Sequence, residues 1–502
     1  MSAKNSTKIY SSIHLCWRFN QRLYLCFLFL LTQSLAAPAL AQIELASHIQ
    51  DQMVVQRGAP WKISGTSSDN ISFDVEFGGQ LIKVRPSEGQ WKAQFNVPSD
   101  LSGPVHLIID GGRLVRKVQV GDVWLCSGQS NMALGLGGVA DKNEIIQSLN
   151  GKAIYIFQVA KPIRIPQPNA GRWMKALSWG GFSAVCLAFG ASLYDRINVP
   201  IGLIDATLGA TWIESWISAS SISIASSAQA AIARFENAAK QRKIKDLRAD
   251  TYGIDKPSQL FDLMIAPLGK QAIKGVLWYQ GEGDGRNGTN YAELLSLLIK
   301  DWRTRWNNPQ LPFIVMQLPG FGVPTAGLDL GSDLALVRDA QRIAVASSAP
   351  AGLVVSVDLG DGTMHPKKKL PFGQRASNIA FELVYNKGSE SFIPMPTTMD
   401  ITGDTVQIKF EGGKACLQST PALPDTIFIS GEDHRWYSAE VSIRDSSIYV
   451  RSSQVSHPVE VRYAWSNYPL LGLLTCEGGI PVTPFGLIIS NDNRNQSVGM
   501  TW

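Results

Sequence analysis

The sequence predicts an α/β protein in which a parallel sheet wrapped by helices is flanked by a β domain on either side. Three observations carry that reading. Between residues 119 and 392, short apolar runs alternate with helical stretches. The flanks, 42–118 and 393–502, hold only short alternating runs separated by turn residues. Four polar, glycine-containing motifs follow central apolar runs immediately, where open parallel sheets place ligands, beyond the carboxyl ends of their strands.

The chain begins with a segment set apart from the fold. Lys4, Lys8, Arg18 and Arg22 precede an apolar run over 23–31, and Ala39-Leu40-Ala41 supplies small residues. This predicts a secretory signal peptide over 1–41 and an exported protein, periplasmic or extracellular. The apolar run is shorter than the roughly 20 residues that span a bilayer, and no later run is longer. No stable membrane insertion is expected after cleavage. At 502 residues the chain exceeds one ordinary core, so several domains are expected.

Residues 42–118 read as a small β-sandwich. Alternating runs at 71–77, 80–84, 91–97, 105–109 and 114–120 are separated by Asp69-Asn70, Gly78-Gly79, Ser87-Glu88-Gly89 and Asp110-Gly111-Gly112. In the central part, strand-like runs fall at 153–159, 199–204, 275–279, 313–317 and 353–357. Helical patterns fall at 183–196, 226–245, 291–306 and 334–346, the third placing Leu294, Leu295, Leu298 and Trp302 on one face. Residues 393–502 return to β, with runs at 406–410, 426–429, 447–451 and 459–463.

Charge narrows the partners. The leader takes four of the 46 basic residues, leaving 42 against 41 acidic ones, a net charge of +1. Nothing in that balance argues for nucleic acid or anionic membrane as a partner, and neither is expected. The one tight basic run, Lys367-Lys368-Lys369, reads as a solvated loop. Cys126, Cys186, Cys416 and Cys476 remain after cleavage, widely spaced and without a CxxC pair, so no metal or cofactor site is expected. Export permits a disulfide. Cys416–Cys476 is the favoured pair, with buried free thiols as the alternative.

The four motifs carry the chemistry. They are Gly128-Gln129-Ser130-Asn131-Met132, Asp205 to Thr211, Trp278 to Asp284, and Asp358 to Pro366. Gly128 can take angles closed to other residues. Ser130 then stands at a strand-to-helix turn, with its own amide free to hold a developing oxyanion. His365 is the single histidine of the central part and supplies a base. Gly209 lets the main chain approach a substrate closely and donate a second N–H. Gln129, Gln280 and Glu282 are the expected substrate-facing polar side chains. A carboxylate behind His365 would fix its tautomer.

These blocks resemble the sialate O-acetylesterase family of SGNH-type hydrolases. Gly121-Asp-Val-Trp-Leu-Cys-Ser-Gly-Gln-Ser-Asn-Met132 matches its first block almost letter for letter, and Trp278-Tyr-Gln-Gly-Glu282 with Asp301-Trp-Arg303 matches its third. Met53-Val-Val-Gln-Arg57, Val461-Arg-Tyr-Ala-Trp465 and Pro484-Phe485-Gly486 resemble its ends. The resemblance implies a flavodoxin-like SGNH domain at 119–392 between β domains. It implies hydrolysis of acetyl esters on sugars through an acyl-serine, without a metal. Ser130 is then the nucleophile, His365 the base, and Ser130, Gly209 and Asp284 form the oxyanion hole. The acetylated sugar is the expected partner; oligomeric state does not follow from the sequence. Alternatives on the same scaffold are an acetylxylan- or pectin-type deacetylase and a non-catalytic glycan binder.

The chain also departs from the family pattern. The orienting acid often stands three residues before the histidine, where this sequence has Gly362. Asp361 is the expected substitute, with Glu282 or Asp358 as alternatives. Asp284 stands where many relatives have Asn and some have Asp, and an ionised carboxylate donates no hydrogen bond.

Overall fold

The computed structural model describes residues 42–162, 170–245, 256–385, 394–411, 416–476 and 478–488. The expected signal peptide, 1–41, lies outside the described residues. No described helix is long and apolar enough to cross a membrane.

A central sheet organises the molecule. Its strands are β1 (Leu114–Gly128), β2 (Ile154–Gln158), β3 (Trp173–Lys175), β4 (Ile201–Thr207), β5 (Gly275–Tyr279), β6 (Phe313–Met316) and β7 (Ala351–Val354). They lie in the order β3-β2-β4-β1-β5-β6-β7. All neighbours are parallel except the short edge strand β3. Strands β4, β5 and β6 are buried along their whole length, as apolar runs covered on both faces must be.

Strand β1 crosses the expected boundary at 118/119 without a break. Its first residues alternate half-buried and exposed and pair antiparallel with Gly103–Ile109; its last eleven are all buried. The switch from alternation to a continuous apolar run marks where one face stops meeting water. The β flank and the central sheet accordingly share one core, from Ile49 to Ala380. The C-terminal strands have a separate core around Val406, Ile427, Val461 and Phe485.

Five helices position the site: α1 (Ser130–Ala133), α2 (Ala184–Ile197), α3 (Gly288–Arg305), α4 (Asp333–Ala346) and α5 (Leu370–Val384). Ser183 caps α2 by accepting from the Cys186 amide, and Ser332 caps α4 through Ala335 N–H. Leu294, Leu295, Leu298 and Trp302 of α3 are all buried, as their spacing requires. Helix α5 begins immediately after the histidine motif and has no counterpart among the expected helices.

Among the described residues two disulfides form. Cys416–Cys476 is the favoured pair, and Cys126–Cys186 ties β1 to α2. The second was not expected, because nothing in the spacing places a strand residue beside that helix.

Candidate active site

Strands β4, β1 and β5 end side by side, with Thr207 and Tyr279 both opposite Gly128. Gly128 has φ +132, and a Cβ there would lie 2.0 Å from the Tyr279 carbonyl oxygen, so only glycine fits. The chain then turns directly into α1, with Gln129 N–H donating to Tyr279 O at 3.0 Å. This turn lifts Ser130 to a half-exposed position at the carboxyl ends of the strands.

Gly209 follows β4 and packs against the serine: a Cβ on it would stand 3.3 Å from Ser130 Cβ. Among the described residues, neither the Ser130 nor the Gly209 amide has a hydrogen-bond partner. Two unspent donors therefore flank the same hydroxyl.

His365 reaches that hydroxyl from 235 positions away, with Nε2 2.8 Å from Ser130 Oγ. The imidazole is half-buried. Its pKa is pushed below the ordinary value by burial, and further by the charges of Lys369 and Lys367. It is thus neutral at pH 7 and able to accept a proton.

The carboxylates behind it are engaged elsewhere. Asp361 accepts from Thr363 N–H at 3.0 Å, from Thr363 Oγ1 at 2.6 Å and from Lys367 N–H at 2.8 Å. Slight burial works against its ionisation, but those hydrogen bonds prevail and hold the carboxyl below its ordinary pKa. Asp358 is bound at both oxygens by Arg375. Among the described residues, no carboxylate hydrogen-bonds the second ring nitrogen of His365. The orienting role expected of Asp361 is therefore corrected to bracing the loop on either side of the histidine.

Asp284 is corrected too. It is buried, and both its oxygens accept: one from Arg234 at 2.9 Å, the other from Ile213 N–H at 3.2 Å and from Gln280 Nε2. Arg234 also holds Glu214 at 3.2 Å and stacks on the Trp212 ring at 4.0 Å. Burial raises the proton affinity of both carboxyls, and Arg234 opposes the rise. With its oxygens spent in this way, Asp284 offers no donor to an oxyanion.

The expected substrate-facing residues lie under the site. Gln280 is fully buried and bonds Gln129, the Thr211 carbonyl and Asp284, while accepting from Tyr291. Gln129 is 3% exposed. Glu282 accepts from Asn131 through Oε1, and its Oε2 is sealed from solvent without a partner. These side chains shape the floor and have little left to offer a sugar.

Sequence reasoning missed Asn131, Lys369 and Arg234. Lys369 was read as part of a solvated run, yet it is fully buried beside exposed Lys367 and Lys368. Its signal was the apolar Leu370-Pro371-Phe372 that follows it.

Residues 120–249 and 251–369 match the family described as carbohydrate esterase, sialic acid-specific acetylesterase. Human sialate O-acetylesterase is 26% identical over 515 aligned positions, covering 89% of this chain and 92% of the human protein. The mouse enzyme is 24% identical, with coverage of 84% and 90%. A solved carbohydrate acetylesterase of Xanthomonas citri superposes with a TM-score of 0.74 at 30% identity, covering 89% of this chain and 99% of that one. The protein is a carboxylic ester hydrolase. It belongs to the carbohydrate esterase family of sialic acid-specific acetylesterases.

Proposed function

We propose that the chain is an exported serine esterase that removes O-acetyl groups from sugars through an acetyl-serine intermediate. One observation carries the mechanism: His365 Nε2 stands 2.8 Å from Ser130 Oγ, beside two amides that have no partner among the described residues. Ser130 Oγ attacks the acetyl carbonyl carbon while His365 takes its proton. The Ser130 and Gly209 amides hold the oxyanion. His365 returns the proton to the sugar oxygen as the ester bond breaks. Water, deprotonated by His365, then releases acetate.

The sheet order supports a flavodoxin-like SGNH domain. With the outer pair β2 and β3 set apart, β4-β1-β5-β6-β7 reads 2-1-3-4-5. We propose that this domain occupies 119–392, continuous through β1 with the β domain at 42–118 and followed by a β domain at 393–502. The two disulfides fit export. The relatives' names point to acetylated sugars, sialates included.

The test compares wild type with Ser130→Ala and His365→Ala on an aryl acetate and on acetylated sialate, xylan and pectin. Acetate release surviving both substitutions would eliminate the mechanism, and the panel identifies the sugar.

A further inference from the structure

With no carboxylate among the described residues hydrogen-bonded to the far side of His365, something else must hold the catalytic loop in place. We propose that Asn131, Lys369 and Glu282 form a buried positioning unit that sets His365 against Ser130 in place of the usual acid. The inference rests on the Ser130–His365 reading above and adds residues that touch neither substrate nor reacting atoms.

The connections run through one side chain. Asn131, next to the nucleophile in sequence, is fully buried. Its Nδ2 donates to the Met364 carbonyl at 3.0 Å and to Glu282 Oε1. Its Oδ1 accepts from Lys369 Nζ at 2.6 Å. The Met364 carbonyl belongs to the peptide that leads into His365, so the amide links the residue after the nucleophile to the residue before the base.

Chemistry fixes the direction of that amide. A carbonyl and a carboxylate on one side accept only, and an ammonium on the other donates only. A flipped amide would set its NH₂ against an ammonium and its oxygen against two acceptors. Glu282 and Lys369 thereby hold Asn131 in one orientation, and Asn131 holds the loop.

The flanking groups make the arrangement rigid. Lys369 packs over the rings of Phe372 and Tyr279, at 4.9 and 5.6 Å. Its own N–H donates to Asp141 at 2.7 Å. Burial lowers the Lys369 pKa to about 8, against the pull of Glu282. Burial likewise raises that of Glu282. Asn131 stands between the two charges and hydrogen-bonds both, and each charge favours ionisation of the other against its own burial.

The experiment is a double-mutant cycle in the full chain. Its readouts are kcat, KM and the rate at which a fluorophosphonate labels Ser130. Lys369→Met keeps the stem and removes the donor. It is expected to lower kcat and the labelling rate by about ten- to a hundredfold, from one stranded buried acceptor and one unpaired carboxylate. KM should hold. Glu282→Gln in the Lys369→Met background removes the unpaired charge and should restore part of the loss. Equal labelling of wild type and Lys369→Met, or a double mutant whose loss equals the product of the two single losses, overturns the unit. If Lys369→Met does not fold, Glu282→Gln alone carries the test, and an unchanged kcat overturns it. Failure of wild type to label at Ser130 instead overturns the serine-esterase reading on which the unit rests.

Discussion

Arg338 offers the sharpest test of how the C-terminal β unit serves the site. It lies in α4, fully buried, and donates four hydrogen bonds to main-chain carbonyls: Leu318 (2.9 Å), Pro319 (2.9 Å), Ser466 (2.8 Å) and Asn467 (2.6 Å). Two of these acceptors precede the loop 320–331, and two belong to the C-terminal unit. That loop touches the histidine motif through Gly322 N–H to Gly362 O at 3.0 Å, and Tyr468 Oη reaches Gly360 O at 2.7 Å. Arg338→Met keeps the buried stem and removes the fork. Hydrogen bonds to an ion contribute about 1.5–3 kcal/mol each, so four give roughly 6–12 kcal/mol. Drying the guanidinium costs several kcal/mol in the other direction. The variant leaves four main-chain carbonyls without this donor, at about 1–3 kcal/mol for each that stays unsatisfied, so after the relief of the guanidinium's desolvation the net loss should be about 3–5 kcal/mol. Urea unfolding should show that loss, and acetate release should fall with it because the histidine loop loses its brace. A loss below about 1 kcal/mol with unchanged turnover would refute the argument that Arg338 joins the C-terminal unit to the active-site loop.

Three further outcomes follow from the same contacts. Lys367→Gln removes one of the charges that depress His365; the histidine must be neutral to act as base, so the acid limb of the kcat/KM profile should move to higher pH. Asp361→Asn should leave kcat within about tenfold of wild type, where loss of a true orienting acid costs on the order of 10⁴; a loss of that larger size would restore the acid to the machinery. Cys126→Ala with Cys186→Ala opens a loop of 60 residues' separation and should cost about 4 kcal/mol on denaturant unfolding, with the reduced wild type matching the double mutant.

The parts of this fold that were legible in the sequence are those written locally. Strands β1, β4 and β5 stand where apolar runs meet turn residues, and α2, α3 and α4 lie within three residues of their periodic patterns at either end. Helix α5 escaped because its first turn carries Pro371 and follows three lysines, a start that reads as loop. Proline is tolerated in the first turn of a helix, and burial of Phe372, Ala376 and Ile379 settles a segment whose local signal is weak. The Cys126–Cys186 bridge escaped for a different reason: each cysteine sits inside an apolar run, and only tertiary packing brings the runs together.

The site shows the same division more sharply. That Ser130, Gly209 and His365 come together was legible because each stands in a motif that follows a strand-like run. The two departures, Gly362 and Asp284, were legible as well, but what surrounds them was not. Asp284 is held by Arg234, 50 positions before it, and Lys369 reaches Asn131 across 238. A buried charge must find a partner, yet nothing local specifies which of many cations supplies it. Lys369 differs from Lys367 and Lys368 only in being the one followed by the helix that carries it inward. An acid missing beside a histidine therefore reads as a defect in the sequence, while in three dimensions a buried Asn131 amide holds the peptide before His365. Loss of function cannot be read from a missing motif residue until the positions that pack behind it are known.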